Sequence, residues 1–342
     1  MKIVIASYTF LPDIGGVAST EANLAEAFAV AGHDVTVLTL TDSVVSDYYP
    51  YKVIRRPSVL ELVRHYRSSD LILASNLSLK LLFPFLFLRK RFGLRHHSES
   101  AWNLSRSWLS SDHIRRVLLR RAKHYMTSAY CGHNSGLPFV VTHPSANKMF
   151  TEAGDIGSAA TRSGILFVGR LVEEKGLDLL VSQAKHICSA LGETTIHVIG
   201  DGLLRPSLEK TLQSDPDLPV ILEGSRSLQE TADAMARAAY VLVPSLWNEP
   251  FGAVALEALA AGAIVIHSGR GGLSEATGGF AHVFDPDDIA TLTSALESAR
   301  TRRHQLLESP ENWSKLRQEV KRWLSNFSAE RTVQTIIVSY EK

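Results

Sequence analysis

Two glutamates eight residues apart offer the clearest chemistry in this sequence. Glu249 stands in a predicted loop after the apolar run YVLVPS, and Glu257 stands about two turns into the helix predicted to follow. Pro250 suits the first turn of that helix, and Gly252 lets the backbone approach a ligand closely. The first amides of a helix favour anions, and each carboxylate accepts hydroxyl hydrogen bonds. The segment fits a sugar and a ribose flanking a diphosphate; the alternative is a helix cap and a solvated side chain.

Two cations follow the apolar run ILFV, in the segment FVGRLVEEKGLDLL. Arg170 and Lys175 stand in a short predicted loop between a strand that ends at Gly169 and a helix. Cations at the end of a strand can neutralise a diphosphate, and the forked guanidinium of arginine suits phosphate oxygens. The alternative is that both are surface cations paired with Glu173 and Glu174.

Paired glycines separate the first predicted strand from the first predicted helix. Gly15 and Gly16 lie in LPDIGGVAST, where backbone amides can face an anion. The spacing lacks the G-x-G-x-x-G pattern of dinucleotide sites, which makes a nicotinamide site a weak interpretation. The alternative is a simple tight turn.

Adjacent histidines occur in the segment RHHSESAW (95–102). His96, His97 and Glu99 could be polar groups at the edge of a binding cleft, because the imidazole ring can donate or accept a proton near neutral pH. The alternative is histidines whose hydrogen bonds are satisfied in the core or at the surface.

Arginines cluster in the segment SSDHIRRVLLRRAKHY, which predicts a basic amphipathic helix. Its apolar stripe would hold Ile114, Val117, Leu118, Ala122 and Tyr125. Such helices attract anionic membranes, at about 1 kcal/mol per cation near the surface. The alternative is a core helix with an arginine-rich solvent face. The cations concerned are Arg115, Arg116, Arg120, Arg121 and Lys123.

A second apolar and basic run, LKLLFPFLFLRKRFG, could extend that membrane surface. It places Phe83, Phe85 and Phe87 beside Arg89, Lys90 and Arg91. Binding of nucleic acid is not predicted, because aromatic residues are rarely interleaved with the cations and no binding motif is present.

The elements that must position these residues alternate between strand and helix. KIVIAS, DVTVLTL and DLILAS predict buried strands in the first half, and GILFVG, TIHVIG, VILEG, YVLVPS and AIVIHS predict a second series. Continuous apolar runs are typical of parallel sheets covered by helices on both faces. We therefore expect an α/β fold with two doubly wound, Rossmann-like domains, whose ligands bind beyond the carboxyl ends of the strands.

The polar stretch TEAGDIGSAATRSG (151–164) lacks periodicity and is the predicted linker. We expect an N-terminal domain over residues 1–150, joined by a final helix over 326–342, and a C-terminal domain over 151–325. The segment LDLLVSQAKHICSAL after Gly176 is predicted as one helix.

The composition of the chain is that of an ordinary globular protein. Apolar residues make up 45% and charged residues 21% of the 342 residues, as in ordinary globular proteins. The two cysteines, Cys131 and Cys188, have neither disulfide-framework nor metal-site spacing, which fits a cytoplasmic protein. No apolar run approaches the roughly 20 residues of a membrane-spanning helix, and the N-terminus is too short in apolar residues for a signal peptide.

Charge differs between the two halves of the chain. Residues 1–150 hold 18 lysines and arginines against 10 acidic residues, although the whole chain carries a net charge of only +1. The first half is therefore basic and the second acidic, which predicts different partners for each.

Taken in order, these motifs resemble glycosyltransferase family 4, whose members have the GT-B fold. The resemblance covers nearly the whole chain: the glycine loop and the helix after it, FVGRLVEEKGLDLL, IGDG (199–202), ILEG (221–224), VPSLWNEPFGAVALEALAAG and the final FSAERTVQTIIVSYEK. In that family the last helix crosses back to the N-terminal domain. The chain departs from the family at HPSAN and over EATGGFAHVFDPDD, which affects acceptor details more than the donor site.

The resemblance implies a role for each residue of the donor site. Glu249 would hold hydroxyls of the donor sugar, Glu257 would bind the ribose, and His97, or His96 beside it, would lie near the transferring sugar. Arg170 and Lys175 would hold the diphosphate. Catalytic roles fall on His97, Glu249, Arg170 and Lys175. The other donor contacts would come from Gly15, Gly16, Gly200, Gly224, Pro250, Phe251, Gly252 and Ala253.

The resemblance also implies the reaction. Family members transfer a sugar from a nucleoside diphosphate sugar, here most simply a UDP- or GDP-sugar, to a glycan or a lipid-linked acceptor with retention of the anomeric configuration. They need no metal or cofactor, and Asp285, Asp287 and Asp288 fit a helix start better than a metal site. No second carboxylate is evident for a double displacement, so departure and attack on one face, with the leaving phosphate as base, is the hypothesis.

Two other functions stay open at this point. A sugar-nucleotide isomerase or phosphorylase could use a similar fold, and it would act without an acceptor. An inactive nucleotide-sugar-binding module would bind a nucleotide without turnover.

Overall fold

The computed structural model describes residues 1–13, 15–42, 48–98 and 111–341. The chain divides into two compact units. The first comprises Met1–Ser145 with Phe327–Lys342, and the second comprises Ala146–Asn326. Each unit is built on one parallel sheet with helices packed against it, which is the α/β architecture that the alternating pattern predicts.

The sheet of the first unit has the strand order β3-β2-β1-β4-β5-β6-β7, and all its pairs are parallel. Residues of β1 alternate between two apolar clusters: Ile3 and Ile5 face one side, and Val4 and Ala6 face the other. Burial on both faces explains why the strand is apolar throughout. The strands are β1 (Lys2–Ser7), β2 (Asp34–Thr39), β3 (Lys52–Arg55), β4 (Leu71–Ser75), β5 (Gly93–His96), β6 (Lys123–Met126) and β7 (Phe139–Val141).

The helices of the first unit include one that is shorter than predicted. The basic helix ends at Arg121, because the chain turns into β6 there, and Tyr125 lies on that strand rather than on a helical stripe. Phe85 belongs to the core and is fully buried, whereas Phe87 is exposed. The helices are α1 (Gly16–Val30), α2 (Val59–Ser68), α3 (Leu79–Leu82), α4 (Asp112–Arg121) and α5 (Ala129–Ser135), with a 3₁₀ turn at Phe83–Leu86.

The second unit carries a sheet of strand order β10-β9-β8-β11-β12-β13, again with parallel pairs. Its strands are β8 (Ile165–Val168), β9 (Ile196–Ile199), β10 (Val220–Gly224), β11 (Tyr240–Val243), β12 (Ile264–His267) and β13 (His282–Val283). Its helices are α6 (Lys148–Asp155), α7 (Leu177–Ser182), α8 (Ala184–Leu191), α9 (Arg205–Ser214), α10 (Leu228–Arg237), α11 (Ala253–Ala260), α12 (Leu273–Thr277), α13 (Ile289–Glu308) and α14 (Pro310–Leu324). Short 3₁₀ turns occupy Ala159–Thr161, Glu173–Lys175, Gly278–Phe280 and Ser325–Phe327.

The stretch predicted as a linker, 151–164, is largely helical: it contains the end of α6 and a 3₁₀ turn. Asn147 caps α6 by accepting a hydrogen bond from the Met149 amide at 3.0 Å, and Phe150 is fully buried. Gly154 packs so closely that a Cβ there would lie 2.5 Å from the carbonyl oxygen of Ala260. Gly154, one of the small residues that suggested a linker, is therefore small because α6 lies against α11.

The helix predicted after Gly176 is interrupted. Gln183 separates α7 from α8 and has φ −101° and ψ 4°. Neither glycine nor proline marks this position, so the sequence pattern gave no sign of the break. The start predicted in DPDD is observed, since the Asp288 carboxylate accepts a hydrogen bond from the Ala290 amide at 3.1 Å and caps α13.

The last helix, α15 (Ala329–Glu341), packs in the first unit against α1. Val333 and Ile336 are buried in the same apolar cluster as Ile3, Phe28 and Tyr125. The hydroxyl of Tyr340 donates to the carbonyl oxygen of Arg91 at 2.8 Å. The C-terminal segment thus completes the core of the unit that begins the chain. Among the described residues, no helix has the length and apolar character needed to span a bilayer.

Candidate functional site

Helix α11 begins in a tightly packed loop of the second unit. Gly252 caps the helix with φ +96°, and a Cβ at this position would lie 2.6 Å from the Leu273 side chain. Only glycine tolerates both the backbone conformation and the contact. The helix then starts at Ala253, after the half-buried Pro250 and the buried Phe251. This brings the first amides of α11 next to the loop that carries Glu249.

Glu249 and Lys175 form an ion pair across two loops of this unit. The Glu249 Oε1 atom accepts from Lys175 Nζ at 2.6 Å and from the Ser245 hydroxyl at 2.6 Å. The Lys175 ammonium also lies 5.2 Å from the centre of the Trp247 ring, within the range of a cation–π interaction. Both charged side chains are mostly buried. The structure thus pairs Lys175 with Glu249, which belong to separate motifs of the sequence.

Arg170 differs from Lys175 in exposure. Its side chain is 67% exposed, and its ion pair with Glu174 has an N–O distance of 3.8 Å. A pair of this kind contributes little to stability. Arg170 is therefore free to turn toward an anion, whereas Lys175 is already held in place.

Gly200 and Gly224 lie at the ends of neighbouring strands. Gly200 has φ +144°, and a Cβ there would lie 1.9 Å from the carbonyl oxygen of Gly169. The Gly200 amide donates to the Gly224 carbonyl at 2.9 Å. Their backbones, together with Gly169, form the carboxyl edge of the sheet, which is where ligands of open α/β sheets bind.

Glu257 lies on α11 without a hydrogen-bond partner for its carboxyl group among the residues that the structure describes. Burial raises the pKa of this carboxyl to about 8. A desolvated carboxyl without a partner is unfavourable. A ligand that brings hydroxyl groups would supply what the chain does not.

In the first unit, the glycine loop opens α1. Gly15 caps the helix and Gly16 is its first residue. A Cβ on either glycine would have no described atom within 4 Å, so space is open beside the first turn of α1. This loop has the room to admit an anion at the helix N-terminus.

The structure separates the roles of the two adjacent histidines. His96 is fully buried, and its Nε2 atom lies 3.0 Å from His124 Nδ1. Burial lowers the pKa of both rings, most strongly that of His96. His97 follows the end of β5, and its backbone amide donates to Asn76 Oδ1 at 2.9 Å. His96 is therefore a core residue, whereas the role predicted for His97 near a ligand stays a prediction. Glu99 lies outside the described residues.

Two buried charged residues beside His97 were not predicted from the sequence. Glu21 of α1 and Arg95 of β5 have side chains that are 0% and 1% exposed, and they form an ion pair. The same Glu21 oxygen lies 2.8 Å from His97 Nε2. A charged residue inside an apolar strand, as in GLRHH, is the sequence signal that could have revealed them.

A cavity of about 480 Å³ lies at the carboxyl ends of β1 and β4 in the first unit. Ser75 and Asn76 line it, and Lys80 and Arg115 add two cations. Arg115, one of the cations predicted to face a membrane, lines this cavity and pairs with Asp112 at 3.1 Å. The cavity offers hydroxyl, amide and cationic groups together.

The remaining cations of the basic helix lie at the other end of the strands. Arg120, Arg121 and Lys123 line a second cavity of about 590 Å³ together with Arg91. Arg121 donates to the carbonyl oxygens of Phe85 and Leu88, and Lys123 to that of Ser339. Arg116 is half-buried. Arg115, Arg116, Arg121 and Lys123, four of the five predicted membrane contacts, thus have partners within the protein.

Similarity to known proteins supports the interpretation of the second unit. Residues 162–301 match the family described as glycosyl transferases group 1. The chain is 30% identical over 182 residues to an uncharacterised glycosyltransferase of Methanocaldococcus jannaschii, which covers 52% of this chain and 47% of the relative. It is 30% identical over 220 residues to D-inositol 3-phosphate glycosyltransferase of Rhodococcus jostii, with 58% and 46% covered. The chain therefore spans about half the length of these curated relatives.

Solved structures share the fold over the whole chain. The Anabaena protein HepE in complex with UDP has a TM-score of 0.70 at 18% identity, with 100% of both chains covered. Sucrose-phosphate synthase of Thermosynechococcus elongatus has a TM-score of 0.71 at 21% identity, with 99% and 98% covered. The predicted GT-B fold is confirmed, as is the resemblance to glycosyltransferases at the level of group 1.

Proposed function

We propose that this chain, which carries a group 1 glycosyltransferase domain over residues 162–301, is a retaining glycosyltransferase. It would transfer a sugar from a nucleoside diphosphate sugar to a glycan or a lipid-linked acceptor, in the synthesis of a bacterial surface polysaccharide or glycolipid. One observation carries the proposal: the Lys175–Glu249 pair lies beside the start of the helix that holds Glu257, whose carboxyl group has no hydrogen-bond partner among the described residues.

The donor would bind in the second unit. Glu249 has one oxygen occupied by Lys175 and Ser245, so its other oxygen can accept a hydroxyl of the sugar. Glu257 would take the ribose hydroxyls. Lys175 and Arg170 would balance the charge of the diphosphate, which grows as the sugar leaves. We propose UDP as the first nucleotide to test, because the solved Anabaena relative binds it.

The reaction breaks the bond between the anomeric carbon and the phosphate oxygen and forms a bond to an acceptor oxygen. The proton of the acceptor hydroxyl passes to the departing phosphate, which acts as base on the same face of the sugar. No carboxylate nucleophile is assigned, and retention then follows from attack on the face that the phosphate leaves. Determining the anomeric configuration of the product tests this step, and an inverted product would contradict it.

The acceptor would bind in the first unit, in the cavity lined by Asn76, Lys80 and Arg115. Arg120, exposed on α4, and the neighbouring cations would hold the enzyme at the anionic inner face of the cytoplasmic membrane. Sedimentation with neutral and anionic vesicles tests that contact. Equal binding to both vesicle types would contradict it.

A melting-temperature panel with UDP, GDP, ADP and dTDP tests the donor site. A ligand at about 100 times its dissociation constant adds roughly 2.7 kcal/mol to stability. We expect one diphosphate to stabilise strongly and Glu257→Ala to weaken that effect. Glu297→Ala, which removes an exposed carboxylate of α13 in the same unit, is the matched control.

Turnover assays with nucleotide sugars, with and without an acceptor, separate the other candidate functions. A binding module would be stabilised by a nucleotide without turning over any nucleotide sugar. An isomerase or phosphorylase would convert the donor without an acceptor. If no diphosphate stabilises the protein, the donor site is wrongly assigned.

A further inference from the structure

A buried charged group lies at the end of β5 in the first unit, beside the candidate site. It consists of Glu21 from α1, Arg95 from β5 and His97 just after β5. The side chains of Glu21 and Arg95 are almost fully buried, and that of His97 is 6% exposed. Burial of two opposite charges costs free energy unless the charges are well oriented and their remaining hydrogen bonds are satisfied.

Arg95 and His97 contact the same oxygen of Glu21. Arg95 Nη1 and His97 Nε2 both reach Glu21 Oε1, the latter at 2.8 Å. Burial alone would raise the pKa of this carboxyl, but the Arg95 charge and the hydrogen bond from His97 lower it below its usual value. Glu21 is therefore ionised near neutral pH.

An ionised carboxylate only accepts hydrogen bonds. The nitrogen of His97 that faces it must therefore carry the proton, which fixes Nε2–H. Burial lowers the pKa of His97; the Glu21 contact opposes this effect and the Arg95 charge adds to it. The ring is thus neutral at pH 7.5, and its Nδ1 atom is an acceptor.

Nδ1 of His97 has no hydrogen-bond partner among the residues that the structure describes. Its ring belongs to a side chain that still touches the surface. His97 is also held through its backbone by Asn76, which lines the cavity of the first unit. The ring is thus fixed at one nitrogen and available at the other.

We propose that Glu21 is a positioning residue that holds His97 in the Nε2–H form, so that Nδ1 accepts a hydrogen bond from a hydroxyl of the bound sugar. Arg95 keeps Glu21 ionised. The positive charge of Arg95 also prevents the Glu21 carboxylate from drawing a second proton onto the imidazole ring of His97. The identity of the ligand rests on the proposed function, whereas the state of the ring does not.

The state of the ring can be measured without any ligand. Protein labelled with ¹⁵N in the histidine rings is examined by long-range ¹H–¹⁵N spectroscopy at pH 7.5, and His97→Gln assigns the signals. We expect a protonated Nε2, an unprotonated Nδ1 and an Nε2–H proton that exchanges slowly with water. A protonated Nδ1, or a fully charged ring, would overturn the proposal.

A double variant, Glu21→Leu with Arg95→Met, removes the pair without leaving either charge buried alone. Replacement of a buried ion pair by apolar residues of similar volume is often tolerated, so this variant should fold. We expect its Nε2–H proton to exchange rapidly; an unchanged, slowly exchanging proton would contradict a positioning role. Asp155→Ala, which removes a carboxylate from Arg317 and Lys321 of the second unit, should leave the His97 signals unchanged.

Kinetics supply the second readout. If the chain transfers a sugar, the double variant should lower kcat about tenfold, as expected for one hydrogen bond made in the transition state, with little change in KM. An unchanged kcat would overturn the role proposed for Nδ1. Absence of turnover in the natural protein would contradict the proposed function, while the spectroscopic result would still decide the state of the ring.

Discussion

Glu21 and Glu257 both lie on helices, one in each unit, but Glu21 is fully buried and Glu257 is half-buried. Arg95 and His97 contact Glu21, and its pKa is lowered despite its burial. No described residue hydrogen-bonds the Glu257 carboxyl, and burial raises its pKa to about 8. Two described residues thus hold the first carboxyl group through its Oε1 atom, whereas the second has no such contact among the described residues.

This difference separates a residue that organises its neighbours from one that we propose to bind a ligand. A buried carboxylate with its own cation holds the geometry of its neighbours, and removal of either partner is strongly destabilising. A carboxyl that lacks partners lowers stability until a donor arrives. Four substitutions test this distinction, and their expected effects decrease in the order given.

Glu21→Ala should have the largest effect. It leaves the Arg95 guanidinium buried without a counter-charge, so we expect a loss of about 3–5 kcal/mol in the free energy of unfolding. Urea denaturation followed by circular dichroism measures it. Glu21→Leu with Arg95→Met should recover most of the loss, and if it does not, packing rather than charge explains the single variant.

Lys175→Ala should act mainly on nucleotide binding. Lys175 joins Glu249 to the proposed diphosphate site, and a hydrogen bond to a charged group contributes about 1.5–3 kcal/mol. We expect the affinity for UDP to fall roughly 10- to 150-fold in titration calorimetry. Lys185→Ala, which removes an exposed lysine of α8 paired with Asp215, is the control, and an equal loss there would contradict the assignment.

Glu257→Gln should change how stability depends on pH. In the unfolded chain this carboxyl loses its proton near pH 4.5, whereas in the folded chain it does so near pH 8. The folded protein therefore binds the extra proton between these values, and the stability of the natural protein should fall as pH rises through that range. The variant should lack this decline in melting temperature, and parallel curves for both proteins would contradict the interpretation.

Arg170→Ala should have the smallest effect on stability. Its side chain is 67% exposed and its pair with Glu174 is long, so we expect a change within about 0.5 kcal/mol. Any weakening of UDP binding should decrease as salt is added, because exposed charges are screened. A large loss of stability would mean that Arg170 belongs to the structure rather than to the site.

The sequence predicted the fold well because the fold depends on local patterns. Runs such as KIVIAS and YVLVPS identify buried strands, and Asp288 marks the start of a helix through the hydrogen bond that its own carboxylate accepts. The break at Gln183 carries no such mark, and the helix α6 within the predicted linker depends on its contact with Ala260. Those features are determined by neighbours distant in the chain.

The candidate site was predicted in part for the same reason. Glu249, Lys175 and Glu257 stand in segments with a recognisable order, and the roles assigned to them stay predictions. The pairing of Lys175 with Glu249 spans 74 residues and depends on how two loops pack. Glu21 and Arg95 are also 74 residues apart, and neither belongs to a motif, so only the structure brings them together.

The position of α15 also affects the order in which the chain can fold during synthesis. Val333 and Ile336 cover the same cluster as Ile3 and Phe28, which emerge from the ribosome roughly 300 residues earlier. The second unit, Ala146–Asn326, contains its own core and can form while the first still exposes that apolar face. The first unit is therefore completed after the second, and its apolar face needs protection from aggregation in the meantime.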